Sequence, residues 1–90
     1  MQDTQMEIKY NPRFRKQYAK SNEKVKSAFN SRLKLFLQNS HHSLLRNHAL
    51  TGDYKGCRSI NVTGDWRAIF SERDGIIIFE ALGTHSQLYK

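Results

Sequence analysis

The sequence predicts an α+β fold in the order β-α-α-β-β-β, with two basic helices packed on a mainly antiparallel sheet. Three features lead to this prediction. In the first half of the chain, apolar residues recur at helical spacing. In the second half, the spacing of apolar residues changes to two, as in a strand, and turn-forming residues separate these segments. With 90 residues the chain has the length of one small domain, and we expect a single domain over residues 1–90.

The chain begins with a predicted strand and a short helix. The segment MEIKY, residues 6–10, alternates polar and apolar side chains well enough for a strand. Asn11 is a candidate N-cap, and Pro12 then stands at the first helical position, where its fixed φ is favourable and its missing N–H is not needed. This arrangement predicts that a helix begins at Pro12.

The second helix is the clearest element of the sequence. It is predicted from Asn22 to about Gln38, because its apolar residues repeat at helical spacing and form one buried stripe. The stripe consists of Val25, Ala28, Phe29, Leu33, Phe36 and Leu37. Arg32 falls inside the stripe by angle, so its guanidinium must extend to solvent or find a partner.

Three strands are predicted after a loop over residues 39–56. The segments CRSINV (57–62), DWRAIF (65–70) and GIIIFEAL (75–82) are rich in β-branched and aromatic residues. The links between them contain Thr-Gly-Asp and Asp-Gly, which favour hairpins, so the strands are predicted to form an antiparallel meander. The run Ile76–Phe79 does not alternate, which predicts an interior strand covered on much of both faces.

The positive charge lies in the first half of the chain. The formal net charge is +7, and residues 1–50 hold ten Lys or Arg against three Asp or Glu, whereas residues 51–90 hold five of each. Such a distribution is expected of a protein that binds a polyphosphate such as RNA, or an acidic protein. From charge alone, a solvated helix surface is an equally good explanation.

The composition favours the cytoplasm and excludes several classes of site. The single cysteine, Cys57, excludes an internal disulfide, and the sequence contains neither an apolar signal segment at its start nor an apolar run of membrane-spanning length. There is no CxxC, no HExxH, no glycine-rich phosphate loop and no nucleophile elbow, and His41 and His42 are adjacent in a loop, where they cannot easily converge on one ion. We therefore expect a cytoplasmic protein without membrane contact, metal or cofactor.

A set of polar and aromatic residues at predicted strand ends is suited to RNA cleavage: His48, Asp65, Trp66, Arg67, His85 and Tyr89. When a ribose 2′-hydroxyl attacks the adjacent phosphorus, a base must take its proton and an acid must protonate the leaving 5′-oxygen. Histidine exchanges protons most readily near neutral pH, a guanidinium stabilises the added negative charge, and an aromatic ring can stack on an unstacked base.

Each of these residues also has a structural explanation. His85 can be a turn histidine bonded to the backbone, Asp65 can close a hairpin, and Trp66 can belong to the core. Tyr89 can cover the end of the sheet. Because Arg67 follows Trp66 in a strand, the two side chains face opposite ways, and we expect the arginine to point away from the hydrophobic layer.

The segments HALTGDYKGCRSINVTGDWRAIF (48–70) and GTHSQLY (83–89) resemble the RelE/ParE superfamily of bacterial and archaeal type II toxins, and within it the YafQ-like and RelE/StbE-type mRNA interferases. The resemblance implies a RelE-like fold and a ribosome-dependent endoribonuclease. Such a toxin cleaves mRNA by metal-independent attack of the 2′-hydroxyl and inhibits translation. It also implies a cognate antitoxin that covers the site and forms a higher-order hetero-oligomer with the toxin.

The resemblance implies roles for individual residues. The catalytic set carried over from it is His85, His48, Arg67, Asp65 and Tyr89, with His85 as general acid and Arg67 as the phosphate-stabilising group. The RNA-binding set is Trp66, Asn61, Lys55 and Arg58. Asn61 stands where YafQ-like proteins carry a further histidine, and an amide cannot act as a base near neutral pH. The general base is then His48 or Asp65, or the 2′-hydroxyl is activated mainly by alignment.

Two other function classes are compatible with the same fold. One is a ParE-like toxin that binds DNA gyrase without cleaving RNA, and the other is a basic RNA-binding module whose polar residues are structural. The two histidines together with the terminal tyrosine favour the endoribonuclease, because a gyrase-binding toxin does not need them.

Overall fold

Residues 6–89, which the computed structural model describes, form a five-stranded mixed sheet and three helices. The elements are β1 (Glu7–Tyr10), α1 (Pro12–Lys20), α2 (Glu23–Gln38), β2 (His48–Ala49), β3 (Arg58–Thr63), β4 (Trp66–Arg73), β5 (Ile76–Thr84) and α3 (His85–Leu88). The strands lie side by side in the order β1-β5-β4-β3-β2, and β1 alone runs parallel to its neighbour. The predicted α+β fold with its antiparallel meander is confirmed; residues 1–5 and 90 of the expected domain lie outside the described residues.

Two segments contain elements beyond the predicted order. Residues 39–56, expected as a loop, contain two 3₁₀ turns, Ser43–Leu45 and Gly52–Tyr54, and the strand β2. A strand of two residues has no period that a sequence can display, and β2 exists because it pairs with β3. The second addition is α3, which occupies the segment expected as a turn after β5.

Both long helices begin where the sequence predicts. The Asn11 side chain accepts a hydrogen bond from the Phe14 N–H at 2.8 Å, with Pro12 at the first helical position. The Asn22 side chain caps α2 in the same way, accepting from the Val25 N–H at 2.9 Å. These contacts satisfy backbone donors that would otherwise lack a partner at the helix starts.

The main core lies between the helices and one face of the sheet. Its largest members are Phe14, Phe29, Phe36, Phe70 and Phe79, each at most 2 % exposed. Phe29 and Phe79 meet edge to face, with ring centroids 5.2 Å apart. Arg32 donates from Nε to the Val62 carbonyl at 3.3 Å, so its guanidinium has the partner that a cation within the apolar stripe was expected to need. The inclusion of Leu37 in the buried stripe is wrong: it is 48 % exposed, because it lies about 80° around the helix from Phe29, at the stripe's edge.

A β-bulge in β5 divides that strand into two parts. Phe70 pairs with Phe79 and Ile69 pairs with Ala81, so Glu80 is the additional residue. Its carboxylate accepts hydrogen bonds from Asn11 Nδ2 and from Ser71 Oγ, both at 2.7 Å. Glu80 therefore connects the start of α1 to the two central strands.

The other face of the sheet carries a smaller hydrophobic cluster. Ile69, Ala81 and Leu88 are buried there, and Leu50, Tyr54, Cys57 and Tyr89 pack against them. The expectation that Ile76–Phe79 is covered on both faces is met only in part: Ile77 and Phe79 are fully buried, but Ile76 and Ile78 are half-buried because the smaller cluster covers the other end of β5. None of the helices in the described part of the chain is long and apolar enough to cross a membrane.

We expect Glu80→Ala to lower the free energy of unfolding by about 1–3 kcal/mol, because it removes an acceptor that two half-buried donors share. Urea unfolding measures this change. Glu72→Ala is the matched control, since Glu72 is exposed on β4, and its effect should stay within about 0.5 kcal/mol. Equal effects of the two substitutions would contradict the structural role of Glu80.

Candidate active site

A cleft of about 240 Å³ lies on the face of the sheet opposite α1 and α2. It is lined by His48, Leu50, Ser59, Arg67, His85 and Tyr89. Four of the five residues predicted as catalytic are among them. They come from β2, from β4 and from the C-terminal segment, so the fold brings together side chains that are far apart in the sequence.

Larger hollows lie along the helices but gather different chemistry. One of about 370 Å³ between β1, α1 and α2 is lined mainly by aromatic side chains, and one of about 430 Å³ beside α1 is lined by Arg13, Lys16 and Lys20 among others. Neither is lined by a histidine, so neither offers a group that readily takes up or releases a proton near neutral pH. The smaller cleft is therefore the candidate active site.

The tautomer of His48 follows from its hydrogen bond. Pairing of β2 with β3 sets His48 opposite Ser59 on the cleft face, and Nδ1 of His48 lies 2.8 Å from the Arg46 carbonyl oxygen. A carbonyl only accepts, so in the neutral ring Nδ1 carries the proton and Nε2 keeps its lone pair. His48 can therefore accept a proton at Nε2.

The backbone before His48 is held in an unusual conformation. Arg46 has φ 48° and ψ 45°, the left-handed region, which costs a non-glycine residue about 1–2 kcal/mol. This residue turns the chain from the 3₁₀ turn into β2 and directs its carbonyl to His48. Strain at this position is consistent with a functional site.

Arg58 does not reach the cleft. It pairs with Phe70, a residue of the main core, and therefore lies on the face opposite to that of Ser59. Its Nε donates to Asn47 Oδ1 at 2.6 Å, while Asn47 Nδ2 donates to the Ser40 carbonyl at 2.8 Å. The structure therefore gives Arg58 a structural task, bracing the segment before His48, and its contact with RNA stays a prediction.

Arg67 and Trp66 face opposite ways, as expected. Trp66 packs against the main core on the helix side and does not line the cleft, and its role in RNA binding stays a prediction. Arg67 lines the cleft, and its Nη1 donates to the carbonyls of Gly64 and Trp66 at 3.1 and 3.2 Å. Its Nε and Nη2 have no hydrogen-bond partner within the part of the chain that the structure describes, and so can bind an anion.

A capping box begins α3 and positions His85. The Thr84 hydroxyl accepts from the Gln87 N–H at 3.3 Å, and the Gln87 side chain accepts from the Thr84 N–H at 2.9 Å. His85 is the first helical residue, and its N–H donates to the Asp65 carbonyl at 3.2 Å. The hairpin turn between β3 and β4 and the helix α3 thus hold His85 jointly.

Gly83 allows α3 to lie close against β5. A Cβ atom at this position would stand 3.1 Å from Gln87 Oε1 and 3.3 Å from Leu88 Cδ2, which is tighter than ordinary packing. Gly83 also pairs with Arg67 across the sheet, so the absence of a side chain leaves room beside the guanidinium. The Gly-Thr-His motif therefore combines a close approach, a cap and a side chain that lines the cleft.

Tyr89 forms the wall of the cleft beside His85. The two rings are 4.8 Å apart, as the four-residue spacing on a helix allows. On its other side Tyr89 meets Tyr54 edge to face at 5.7 Å. Tyr54 in turn accepts a hydrogen bond from Arg13 of α1 at 3.3 Å.

Three further predicted residues do not line the cleft. Asp65 reaches His85 through its backbone carbonyl, while its side chain is exposed in the turn. Asn61 pairs with Arg67 and shares its face of the sheet. Lys55 is exposed in the loop after the second 3₁₀ turn.

Two cleft residues are absent from the predicted set, Leu50 and Ser59. Ser59 stands two residues before Asn61 in the same strand, so the period of two gives it the same face and could have identified it. Among residues 6–89, no three His, Cys, Asp or Glu side chains come close enough together to hold a metal ion. Burial, together with the Glu80 carboxylate, raises the pKa of the Cys57 thiol, which keeps it protonated and suits it to packing.

The arrangement provides three complementary groups around one small volume. His48 offers a proton acceptor, His85 offers a second imidazole on the opposite wall, and Arg67 offers a fixed positive charge. No acidic side chain is among the described residues that line the cleft, so its potential favours an anion. Such a site is suited to acid–base chemistry on a phosphodiester.

Comparison with known proteins gives concordant matches. The family model described as bacterial toxin of type II toxin–antitoxin system, YafQ, matches residues 6–90. The curated mRNA interferase toxin YafQ of Escherichia coli strain K12 is 36% identical over 47 residues; this match covers 52% of the chain and about half, 51%, of that relative's length. The crystal structure of YafQ from E. coli BL21(DE3) has a TM-score of 0.81 at 24% identity, covering 96% of this chain and 100% of that one. A chain of the E. coli DinJ–YafQ toxin–antitoxin complex has a TM-score of 0.79 at 26% identity, covering 96% and 99%.

We expect neutral His48 to be protonated at Nδ1, because that nitrogen donates to the Arg46 carbonyl. Nitrogen-15 NMR of the imidazole at alkaline pH distinguishes the two tautomers. His42 is an internal control with the opposite outcome, since its Nδ1 accepts from the Leu44 N–H at 3.1 Å and its proton must lie on Nε2. Finding the same tautomer at both histidines would contradict the assignment.

We expect Thr84→Ala to increase hydrogen exchange at the Tyr89 amide, which is bonded to the His85 carbonyl at 2.9 Å in α3. The lost cap should cost about 1 kcal/mol. Amides of β4 should keep their protection, and Thr84→Ser should behave like the wild type because it retains the hydroxyl. Unchanged exchange in Thr84→Ala would show that the capping box does not hold α3.

Proposed function

The chain belongs to the YafQ family of bacterial type II toxins, and from this premise we propose that it is an mRNA interferase. As a single toxin domain over residues 1–90, it cleaves mRNA on the ribosome and so inhibits translation. The observation that carries the proposal is the convergence of His48, Arg67 and His85 on one cleft. The curated relative named an mRNA interferase toxin supports the same activity.

The proposed reaction uses these three side chains without a metal. Nε2 of His48 takes the proton of the ribose 2′-hydroxyl, whose oxygen forms a bond to the adjacent phosphorus. His85 in its protonated form gives a proton to the 5′-oxygen as the P–O5′ bond breaks, which leaves a 2′,3′-cyclic phosphate and a 5′-hydroxyl. Arg67 stabilises the charge that builds on the phosphate oxygens, and acid and base each contribute typically about 10²–10⁴ in rate.

The geometry favours His48 over Asp65 as the general base. His48 lines the cleft and has a free lone pair on Nε2, whereas the Asp65 carboxylate lies outside the lining set. We assign Tyr89 to the stacking of an unpaired base, because its ring forms one wall of the cleft and is braced by Tyr54. We assign Asn61, which pairs with Arg67, to a contact with the ribose or phosphate of the bound RNA.

The partners follow from charge and from the family. From Pro12 to Gln38 the chain holds eight Lys or Arg and one Glu, so α1 and α2 present a basic surface that we propose docks on ribosomal RNA. A cognate antitoxin is the second partner, supported by the solved DinJ–YafQ toxin–antitoxin complex of the relative. We propose that it covers the cleft within a hetero-oligomer, in the cytoplasm.

We expect His85→Ala to lower mRNA cleavage on translating ribosomes by at least about 10²-fold, because the leaving oxygen loses its acid. Mapping of mRNA 5′ ends after a short induction measures the loss. His41→Ala is the control, since His41 is exposed in a loop away from the cleft and its substitution should leave cleavage unchanged.

The same induction distinguishes the other function classes. Growth arrest with intact mRNA and relaxed or broken DNA would indicate a gyrase-binding toxin. Intact mRNA with normal translation and DNA would indicate an RNA-binding module. Unchanged cleavage in His85→Ala would remove this residue from the mechanism while leaving the nuclease assignment in place.

A further inference from the structure

Ser59 carries a buried hydroxyl without a partner. The residue is 0% exposed, and within residues 6–89 its Oγ is the one fully buried side-chain oxygen or nitrogen that makes no hydrogen bond. Leaving such a group unpaired costs free energy, so a buried orphan in a folded protein calls for an explanation. Serine is also not among the β-branched and aromatic residues that are enriched in strands.

The neighbours of Ser59 limit what its hydroxyl can bind. On β4 it pairs with Ile69, which pairs in turn with Ala81, and both of these side chains are apolar and buried. On β2 it pairs with His48, whose Nδ1 is already bonded to the Arg46 carbonyl. The remaining direction is the cleft, which Ser59 lines.

In the proposed mechanism, the reacting phosphate lies next to Ser59. Ser59 lies beside the base His48, and two residues further along the same strand Asn61 pairs with Arg67. A phosphodiester held between His48 and Arg67 therefore lies over Ser59. The same cleft is lined by His48 and His85, both of which are exposed side chains that a substrate can reach from solvent.

We propose that Ser59 is a substrate-contacting residue that donates a hydrogen bond from Oγ to a non-bridging oxygen of the scissile phosphate. The inference rests on the proposed nuclease function. A hydroxyl that donates to an anionic oxygen forms a short and strong hydrogen bond, and this bond strengthens as negative charge builds in the transition state. The hydroxyl is unpaired in the free protein because its partner is the substrate.

Removal of a hydroxyl that contacts only the substrate should lower activity without lowering stability, whereas removal of a structural hydroxyl should lower stability. Ser59→Ala should lower the single-turnover rate of mRNA cleavage on programmed ribosomes by about 10- to 100-fold. The melting temperature of this variant should be equal to that of the wild type or higher, because the substitution removes no hydrogen bond from the folded protein. Ser71→Ala is the matched control with the opposite pattern: the Ser71 hydroxyl donates to Glu80, so its removal should lower the melting temperature and leave cleavage unchanged.

Ser59→Cys extends the test to a side chain of nearly the same shape. Because a thiol is a weak donor, this variant should fold like the wild type and still lose cleavage. Wild-type rates in Ser59→Ala or Ser59→Cys, or a lower melting temperature in Ser59→Ala, would overturn the proposal for Ser59 alone. A wild-type protein that leaves mRNA intact on ribosomes would overturn the proposed function, and the role of Ser59 with it.

Discussion

The additional residue in β5 is the constraint on which the rest of the structure depends. Before the bulge, Ile77 and Phe79 face the helices; after it, Leu82 faces the helices while Ala81 and Gly83 face the cleft. Without Glu80 as an extra residue, the period of two would turn Gly83 toward the core and carry α3 to the wrong side of the sheet. Glu80 also accepts hydrogen bonds from Asn11 and Ser71, and these add stability beside the bulge.

The polar side chains that line the candidate active site are oriented mainly by backbone carbonyls. His48 is fixed by the Arg46 carbonyl, the backbone of His85 by the Asp65 carbonyl, and Arg67 by the carbonyls of its own hairpin turn. Carbonyls orient a donor without adding a full negative charge. The cleft therefore keeps the positive potential that a phosphate requires, which a carboxylate in the same position would partly cancel.

Much of the fold could be predicted from the sequence, but the full set of residues that share the cleft could not. The two asparagine caps, the stripe of α2 and the turn residues of the meander are local signals, and each produced the element expected of it. The strand β2 is too short for a period. The helix α3 was readable from the capping pair Thr84 and Gln87, but four residues show no helical repeat. Whether residues of neighbouring strands share the cleft depends on the register of those strands and on bulges. For this reason the sequence alone does not separate Arg58 and Trp66, which lie on the helix side, from the residues that line the cleft.

The attachment of α3 has a consequence for how the molecule responds to temperature. One buried leucine, a cap and a small cluster hold this turn to the sheet, separately from the aromatic core on the other side. Segments with so few buried contacts open locally at a lower free energy than that of global unfolding. If His85 acts as proposed, the observed cleavage rate is the rate of the molecules in which α3 is packed on the sheet, multiplied by the fraction of such molecules. Warming would then reduce the competent fraction while the strands and the two long helices stay intact, so activity would fail before the fold does.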